Sequence, residues 1–211
     1  MDQWIAIVLL ASTLMMFQTR KIGDCVRILA FQSAVLAFAA AWMWRETGIS
    51  HLLVAAVLTL LVKAIVIPCI LWYTVKKVGI EQKVERLTSK WTSLLIAPAL
   101  SVAGYGLTSQ LNLPGTEHGQ SYLPVSVILL FLGTFIMIDH KKAIMQGVGL
   151  ITIENGLFLA AESLSYGMPL MVELGIFFDL LITVVIIGIL SFRIHSTFDS
   201  LSTEKMQNLK G

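Results

Sequence analysis

Long apolar runs separated by short polar stretches set the pattern of this 211-residue chain. Seven of these runs approach or exceed the roughly 20 residues that a helix needs to cross a hydrocarbon layer of about 30 Å. No ten-residue stretch alternates between apolar and polar positions as barrel strands do, and a helix bundle is the other way to satisfy backbone groups in lipid. The pattern predicts an all-α, polytopic membrane protein with seven transmembrane helices: Trp4–Phe17, Val26–Trp44, Leu52–Tyr73, Trp91–Leu111, Tyr122–Ile138, Ala143–Leu164 and Pro169–Phe192.

The composition agrees with this pattern. Hydrophobic residues make up 56% of the chain and charged residues only 13%, and the mean hydropathy is +0.82. These values are typical of membrane proteins and argue against a water-soluble domain. The first apolar run follows "MDQW", which has no Lys or Arg, and no small-residue cleavage site comes after it, so we expect a retained helix rather than a signal peptide.

The basic residues predict an orientation, because Lys and Arg accumulate in cytoplasmic loops. One set of loops holds only Arg45, and Lys63 lies within a span. The opposite set holds thirteen of the fifteen basic residues: Arg20, Lys21, Arg27, Lys76, Lys77, Lys83, Arg86, Lys90, Lys141, Lys142, Arg193, Lys205 and Lys210. We therefore expect the N-terminus outside and the C-terminus inside, as seven crossings require.

Three regions follow from this order. Residues 1–111 form a four-helix N-terminal membrane region, residues 122–193 a three-helix region and residues 194–211 a cytoplasmic tail. The cytoplasmic loop 74–90 lies within the first region. Its basic charge suits lipid headgroups or a neighbouring subunit, and a solvated loop is the simpler interpretation.

Sequence motifs offer no sign of bound cofactors. The chain has no Walker A, GxGxxG, GxSxG or HExxH pattern. Its two cysteines, Cys25 and Cys69, lie 44 residues apart and form no cluster with histidine, so neither zinc nor iron–sulfur binding is indicated. We expect no cofactor, no metal, no redox centre and no nucleic-acid partner, and we expect the chain to act in the bilayer or through other subunits.

Four ionisable residues within the apolar runs are candidates for a function: Lys63, Glu154, Glu173 and Asp179. A charge inside a membrane costs roughly 3 kcal/mol or more, so each is a candidate functional residue. Lys63 lies near the middle of the third run, and Pro68 should kink the helix just after it. Either a polar functional node or a simple interhelical ion pair fits this arrangement.

Glu154 and Asp179 are predicted at similar depth on neighbouring helices. Glu154 is about 16 Å from the start of the sixth helix, and Asp179 is about 15 Å from the start of the antiparallel seventh. Two acids so placed suit a proton relay, and protonated carboxyls that hydrogen-bond two helices together are the alternative. Glu173 and Glu162 are expected nearer the outer surface, Glu162 in wetter surroundings.

Glycines along the sixth run predict close helix packing. Gly149 and Gly156 share one face at heptad spacing, and Gly147 lies nearby. Such small residues allow a neighbouring backbone to approach within a membrane.

Residues 122–193 resemble the K subunit of respiratory complex I and the C subunit of Mrp-type multisubunit Na+/H+ antiporters. In the complex I subunit, the second and third helices each carry a mid-membrane glutamate. Glu154 falls on the first position and Asp179 on the second, with "HKK" and Arg193 at the cytoplasmic ends. The second acid is aspartate here, and the first four helices have no counterpart in that subunit.

The whole chain, including "GMPLMVELGIFFDLLITVVIIGIL", is similar to the hydrogenase-4 component E family of membrane-bound hydrogenase and formate hydrogenlyase complexes. This resemblance implies a non-catalytic subunit in a prokaryotic plasma (inner) membrane, beside antiporter-like and other hydrogenase subunits. It implies that the chain holds part of a polar axis that moves protons or sodium ions. The candidate relay residues are Glu154, Asp179, Lys63 and Glu173, and the role of Lys63 is not carried over from the K subunit, which lacks the first four helices. The alternatives are a structural spacer between antiporter-like subunits and an independent small transporter, the latter disfavoured by the lack of an inverted repeat.

Overall fold

The computed structural model describes residues 2–77, 84–109, 122–165 and 170–200, with side chains except at positions 2, 90, 165, 170–173 and 192–200. Six helices within these residues are long and apolar enough to cross a membrane, and the first helix is apolar but shorter. An all-helical polytopic architecture is therefore confirmed, whereas the orientation of the termini stays a prediction. The helices are α1 (Asp2–Met16), α2 (Ile22–Thr47), α3 (Ser50–Lys77), α4 (Lys90–Ser109), α5 (Tyr122–Asp139), α6 (Ala143–Ser165) and α7 (Leu170–Ser200).

The helices match the predicted apolar runs, but several extend beyond them. α3 continues to Lys77, and α7 continues to Ser200, into the segment predicted as the tail. A helix can continue beyond its apolar run. Its backbone hydrogen bonds are made within the helix, and water solvates the polar side chains of the extension. The remainder of the tail and part of the predicted loop 74–90 lie outside the described residues.

A glycine ends α2 and turns the chain into α3. Gly48 has φ 71°, and its N–H donates to the carbonyl of Trp44 at 2.8 Å. This left-handed conformation is strained for residues with a Cβ, so glycine is the expected residue after the helix. The short turn makes α2 and α3 neighbours.

α3 contains a π-helical segment, Thr59–Val66, directly before the predicted kink at Pro68. The N–H of Ile67 donates to the carbonyl of Val62, five residues earlier. Segments of this type relocate side chains relative to an ordinary α-helix and are frequent at functional sites. The buried residues of the segment are Thr59 and Lys63.

α5 and α6 form a hairpin whose backbones nearly touch. A Cβ built on Gly149 would lie 2.7 Å from the carbonyl oxygen of Gly133, and one on Gly156 would lie 2.8 Å from that of Ser126. The predicted glycine face of the sixth helix thus packs against α5. Gly147 points elsewhere, towards Ile187 of α7.

Residues 84–89 are docked on the α5–α6 turn rather than free in solvent. The buried carboxylate of Asp139 accepts hydrogen bonds from the Thr88 N–H at 2.9 Å, the Thr88 hydroxyl at 2.6 Å and the Ser93 hydroxyl at 2.9 Å. The Leu87 N–H donates to the Asp139 carbonyl at 2.7 Å. Asp139 therefore ties this segment and the start of α4 to the end of α5.

The same segment also reaches the turn between α1 and α2. The Arg86 guanidinium donates to the carbonyl of Phe17 at 2.6 Å, and the Val84 N–H donates to the carbonyl of Arg20 at 2.9 Å. The segment 84–89 of loop 74–90 is therefore docked on the protein, while Glu85, Leu87 and Ser89 stay exposed. Its backbone groups find protein partners, which makes it part of the fold.

Candidate functional site

A buried ion pair joins α3 to α6. The ammonium nitrogen of Lys63 lies 3.5 Å from Oε2 of Glu154, and the two side chains are 2% and 11% exposed. An isolated charge in such surroundings is strongly unfavourable, so each group depends on the other. The acidic group towards which Lys63 was expected to point belongs to this chain and lies on α6.

Two aromatic rings complete the surroundings of the lysine. Its ammonium lies 5.8 Å from the ring centroid of Phe158 and 5.7 Å from that of Phe177. At such distances the negative face of a ring attracts a cation, more strongly where water is scarce. The ammonium is thus held by one carboxylate and by rings from α6 and α7.

A cavity of about 230 Å³ adjoins the ion pair between α3, α6 and α7. Its charged lining residues are Lys63, Glu154 and Asp179. A cavity of this size has room for several water molecules, and charged groups give such water its hydrogen-bond partners. The rest of the lining is apolar: Leu150, Ile153, Leu157, Phe158, Ile176 and Phe177.

Asp179 differs from the ion pair in its exposure. It lines the same cavity, but it is an exposed residue of this chain, whereas Lys63 is only 1% exposed. The cavity therefore connects the buried pair with the surface of α7. Water in such a cavity can carry protons between groups that do not touch.

Three of the four predicted residues, Lys63, Glu154 and Asp179, thus meet at one cavity. The fourth, Glu173, belongs to α7, but its side chain lies outside the described residues. The proposed relay roles of all four stay predictions. Among the described residues, no group of three or more His, Cys, Asp and Glu side chains is arranged to hold a metal ion.

A second polar cluster lies in the bundle interior beside Glu154. The Asn155 amide donates to Oε1 of Gln32 at 3.2 Å, and the Gln32 amide donates to the hydroxyl of Thr13 at 2.7 Å. All three residues are 0% exposed, so the cluster links α6, α2 and α1 without contact with solvent. Its sequence signal is the isolated polar residues in "LAFQSAV" and "TIENGL", of which our site prediction used only the glutamate.

Glu162 is a correction to the sequence analysis. It was expected in wet surroundings near the end of α6, but it is only 2% exposed. Distance from the middle of a helix predicts depth in a membrane, whereas burial depends on which face the neighbouring helices cover. Asp139, which lies outside our predicted site, is likewise buried, at 1%.

One comparison establishes the family. Over 207 residues the chain is 30% identical to "Uncharacterized protein Rv0085" of Mycobacterium tuberculosis, covering 95% of this chain and 91% of that protein. The chain belongs to the Rv0085 family. The similarity thus spans most of both chains.

A more distant similarity agrees with the predicted resemblance. The chain is 23% identical to "Hydrogenase-4 component E" of Escherichia coli strain K12 over 182 residues, covering 86% of this chain and 84% of that protein. The protein of the same name from Shigella flexneri matches to the same extent. No family model matches the chain, and no solved structure matches it. The resemblance of residues 122–193 to the complex I and antiporter subunits stays a prediction.

Proposed function

We propose that this chain is an integral subunit of a membrane-bound hydrogenase complex in a prokaryotic plasma membrane, and that Glu154 and Asp179 carry protons within it. The observation that carries the proposal is the cavity in which the buried Lys63–Glu154 pair and Asp179 meet. Similarity to hydrogenase-4 component E over 86% of the chain supports the assignment to such a complex. The chain itself would perform no redox chemistry.

Glu154 is suited to hold a proton in transit. Its carboxylate faces the cavity, where water could deliver or accept a proton. The Lys63 ammonium at 3.5 Å stabilises the ionised carboxylate. Movement of the ammonium away from Glu154 would favour proton uptake, and its return would favour release.

Asp179 is suited to exchange protons with a neighbouring subunit. It is exposed in the isolated chain and yet lines the same cavity as Glu154. An exposed carboxylate on an apolar helix such as α7 would be unfavourable against lipid, so we expect a protein partner or water to cover it. Glu173 belongs to the same helix and is the next candidate along this path.

The cluster of Thr13, Gln32 and Asn155 gives the relay a continuation through the bundle. Asn155 follows Glu154 directly, and hydroxyl and amide groups can order water that conducts protons. Its hydrogen bonds run from Asn155 of α6 through Gln32 of α2 to Thr13 of α1. It would position water and would not titrate.

The test is the substitution Glu154→Gln in the intact hydrogenase complex reconstituted in liposomes. The amide keeps the size of the side chain but carries no titrating proton, so we expect an assembled complex with normal hydrogen oxidation. Protons moved per electron should fall at least severalfold. Proton uptake measured together with hydrogen consumption gives this ratio directly.

Glu46→Gln is the matched control, because Glu46 is an exposed carboxylate outside the cavity. It should leave the ratio unchanged. If Glu154→Gln also leaves it unchanged in a fully assembled complex, the chain is a structural spacer between antiporter-like subunits. A sodium requirement for transport in the unaltered complex would identify sodium as the transported ion.

A further inference from the structure

A second cavity, of about 290 Å³, lies between the beginning of α2 and the end of α3. Three of its lining side chains are basic, Lys21, Arg27 and Lys76, and one is acidic, Asp24. The charge of the lining is therefore +2 (three cations minus one anion). The other lining residues are Gly23, Trp72 and Val75.

The basic groups converge from two different helices. Arg27 donates one hydrogen bond to Asp24 at 3.4 Å, and its side chain is 76% exposed. Such a long, exposed contact is weak, and the guanidinium has further donors to offer. Lys76 approaches from α3, with its ammonium 4.8 Å from the ring centroid of Trp72.

The cavity lies at one end of the apolar part of α3. The apolar part of α3 ends beside it, and Trp72 and Tyr73 are half-exposed there, at 46% and 57%. Aromatic rings followed by lysines are typical of the headgroup region of a bilayer. Lys77 stands over Tyr73 at 5.2 Å, one residue beyond the cavity lining.

We propose that this cavity binds a phosphate group, carried by an anionic lipid headgroup or free in solution. Phosphate oxygens accept the charge-assisted hydrogen bonds that Arg27, Lys21 and Lys76 can donate. A singly or doubly negative phosphate matches the +2 charge of the lining. The indole of Trp72 forms an apolar wall against which a lipid glycerol or acyl chain would pack.

The experiment compares two double variants of the full-length protein. Arg27→Gln with Lys76→Gln removes two cations from the cavity. Arg20→Gln with Lys77→Gln removes two cations from the same end of the bundle but outside the cavity lining. Both variants lose the same charge, so general attraction to an anionic surface falls equally, and only the first loses the site.

Phosphatidylglycerol retained by the protein is measured by native mass spectrometry after transfer from phosphatidylcholine nanodiscs containing phosphatidylglycerol. We expect the cavity variant to bind at least about tenfold more weakly than the unaltered protein, and the control variant to change less than about twofold. In a second arm, inorganic phosphate is titrated onto the protein in detergent. Phosphate binding with no phosphatidylglycerol retention would identify free phosphate as the ligand.

A third variant guards against an effect of misfolding. A Cβ on Gly23 meets nothing within 4 Å, so the backbone has room for a side chain there, and Gly23→Asp adds a carboxylate to the cavity lining. It should weaken phosphatidylglycerol or phosphate binding while the protein keeps its thermal stability. Equal losses in the cavity and control variants, or unchanged binding in Gly23→Asp, would overturn the proposal.

Discussion

The two sides of α6 are built on opposite principles. Towards α5, glycines bring the backbones together, and a Cβ on Gly133 would lie 2.8 Å from both Gly149 O and Ile153 N. Towards α7, bulkier side chains leave a cavity of about 230 Å³ beside Glu154. The first side fixes α6 in place, and the second leaves room for water and movement. The Glu154 carboxylate is thus carried by a firmly held helix, and it faces a cavity in which water and side chains have room to move.

The largest expected effect comes from breaking the close side. Gly149→Ala would place a methyl group 2.7 Å from Gly133 O and 2.8 Å from the Met137 N. These are backbone atoms, so the helices must separate, and we expect a loss of about 3 kcal/mol in the free energy of unfolding. Gly175→Ala on α7 is the control, because its Cβ meets nothing within 4 Å. Unfolding by denaturing detergent measures the stability of both variants. Equal stability of Gly149→Ala and Gly175→Ala would disprove the packing argument.

The ion pair on the open side should give the next largest effect. Lys63→Met leaves the Glu154 carboxylate without its cation, and we expect a loss of about 2 kcal/mol, less than for a fully buried pair because the cavity can admit water. The double variant Lys63→Met with Glu154→Gln should recover most of the lost free energy of unfolding, because neither charge of the pair remains. The same detergent unfolding assay completes this double-mutant cycle. Additive losses would show that the two groups do not interact.

A smaller effect is expected at the end of the α5–α6 hairpin. Asp139→Ala removes the acceptor for Thr88 and Ser93. We expect about 1.4 kcal/mol of local destabilisation, which corresponds to about tenfold faster amide hydrogen exchange at Thr88. Glu85→Gln is the control, because its ion pair with Lys142 at 3.1 Å is partly exposed and worth little. Unchanged exchange in Asp139→Ala would show that other contacts hold the segment.

The smallest effect concerns pH at the same turn. Burial lowers the pKa of His140 from 6.5, and its Nδ1 donates to the Ile136 carbonyl at 2.7 Å. The pKa of His140 is lower in the folded protein than in the unfolded chain. The contribution of the neutral imidazole to stability is therefore fully present above pH 6.5 and is lost as the pH falls towards the folded pKa. We therefore expect the free energy of unfolding to fall between about pH 7 and pH 5.5. In thermal unfolding, His140→Gln should make the stability less dependent on pH. If the variant depends on pH as steeply as the unaltered protein, other groups cause the dependence.

The helices and the charged positions within them could be predicted from the sequence. Apolar runs of the required length specify membrane helices because backbone groups must be satisfied within lipid. Lys63, Glu154 and Asp179 stood out because charges there are costly. The glycine face of α6 was equally visible, since Gly149 and Gly156 recur at heptad spacing.

Tertiary structure alone decided which sides of these helices meet. Helices that are apolar all round do not reveal from sequence which face contacts protein and which contacts lipid. The pairing of Lys63 with Glu154, the burial of Glu162 and the exposure of Asp179 all depend on that rotation. The π-helical segment around Lys63 and the capture of Thr88 by Asp139 depend further on contacts between residues distant in sequence. The sequence by itself determined the helices and where their charges lie, and packing determined which charges share a cavity.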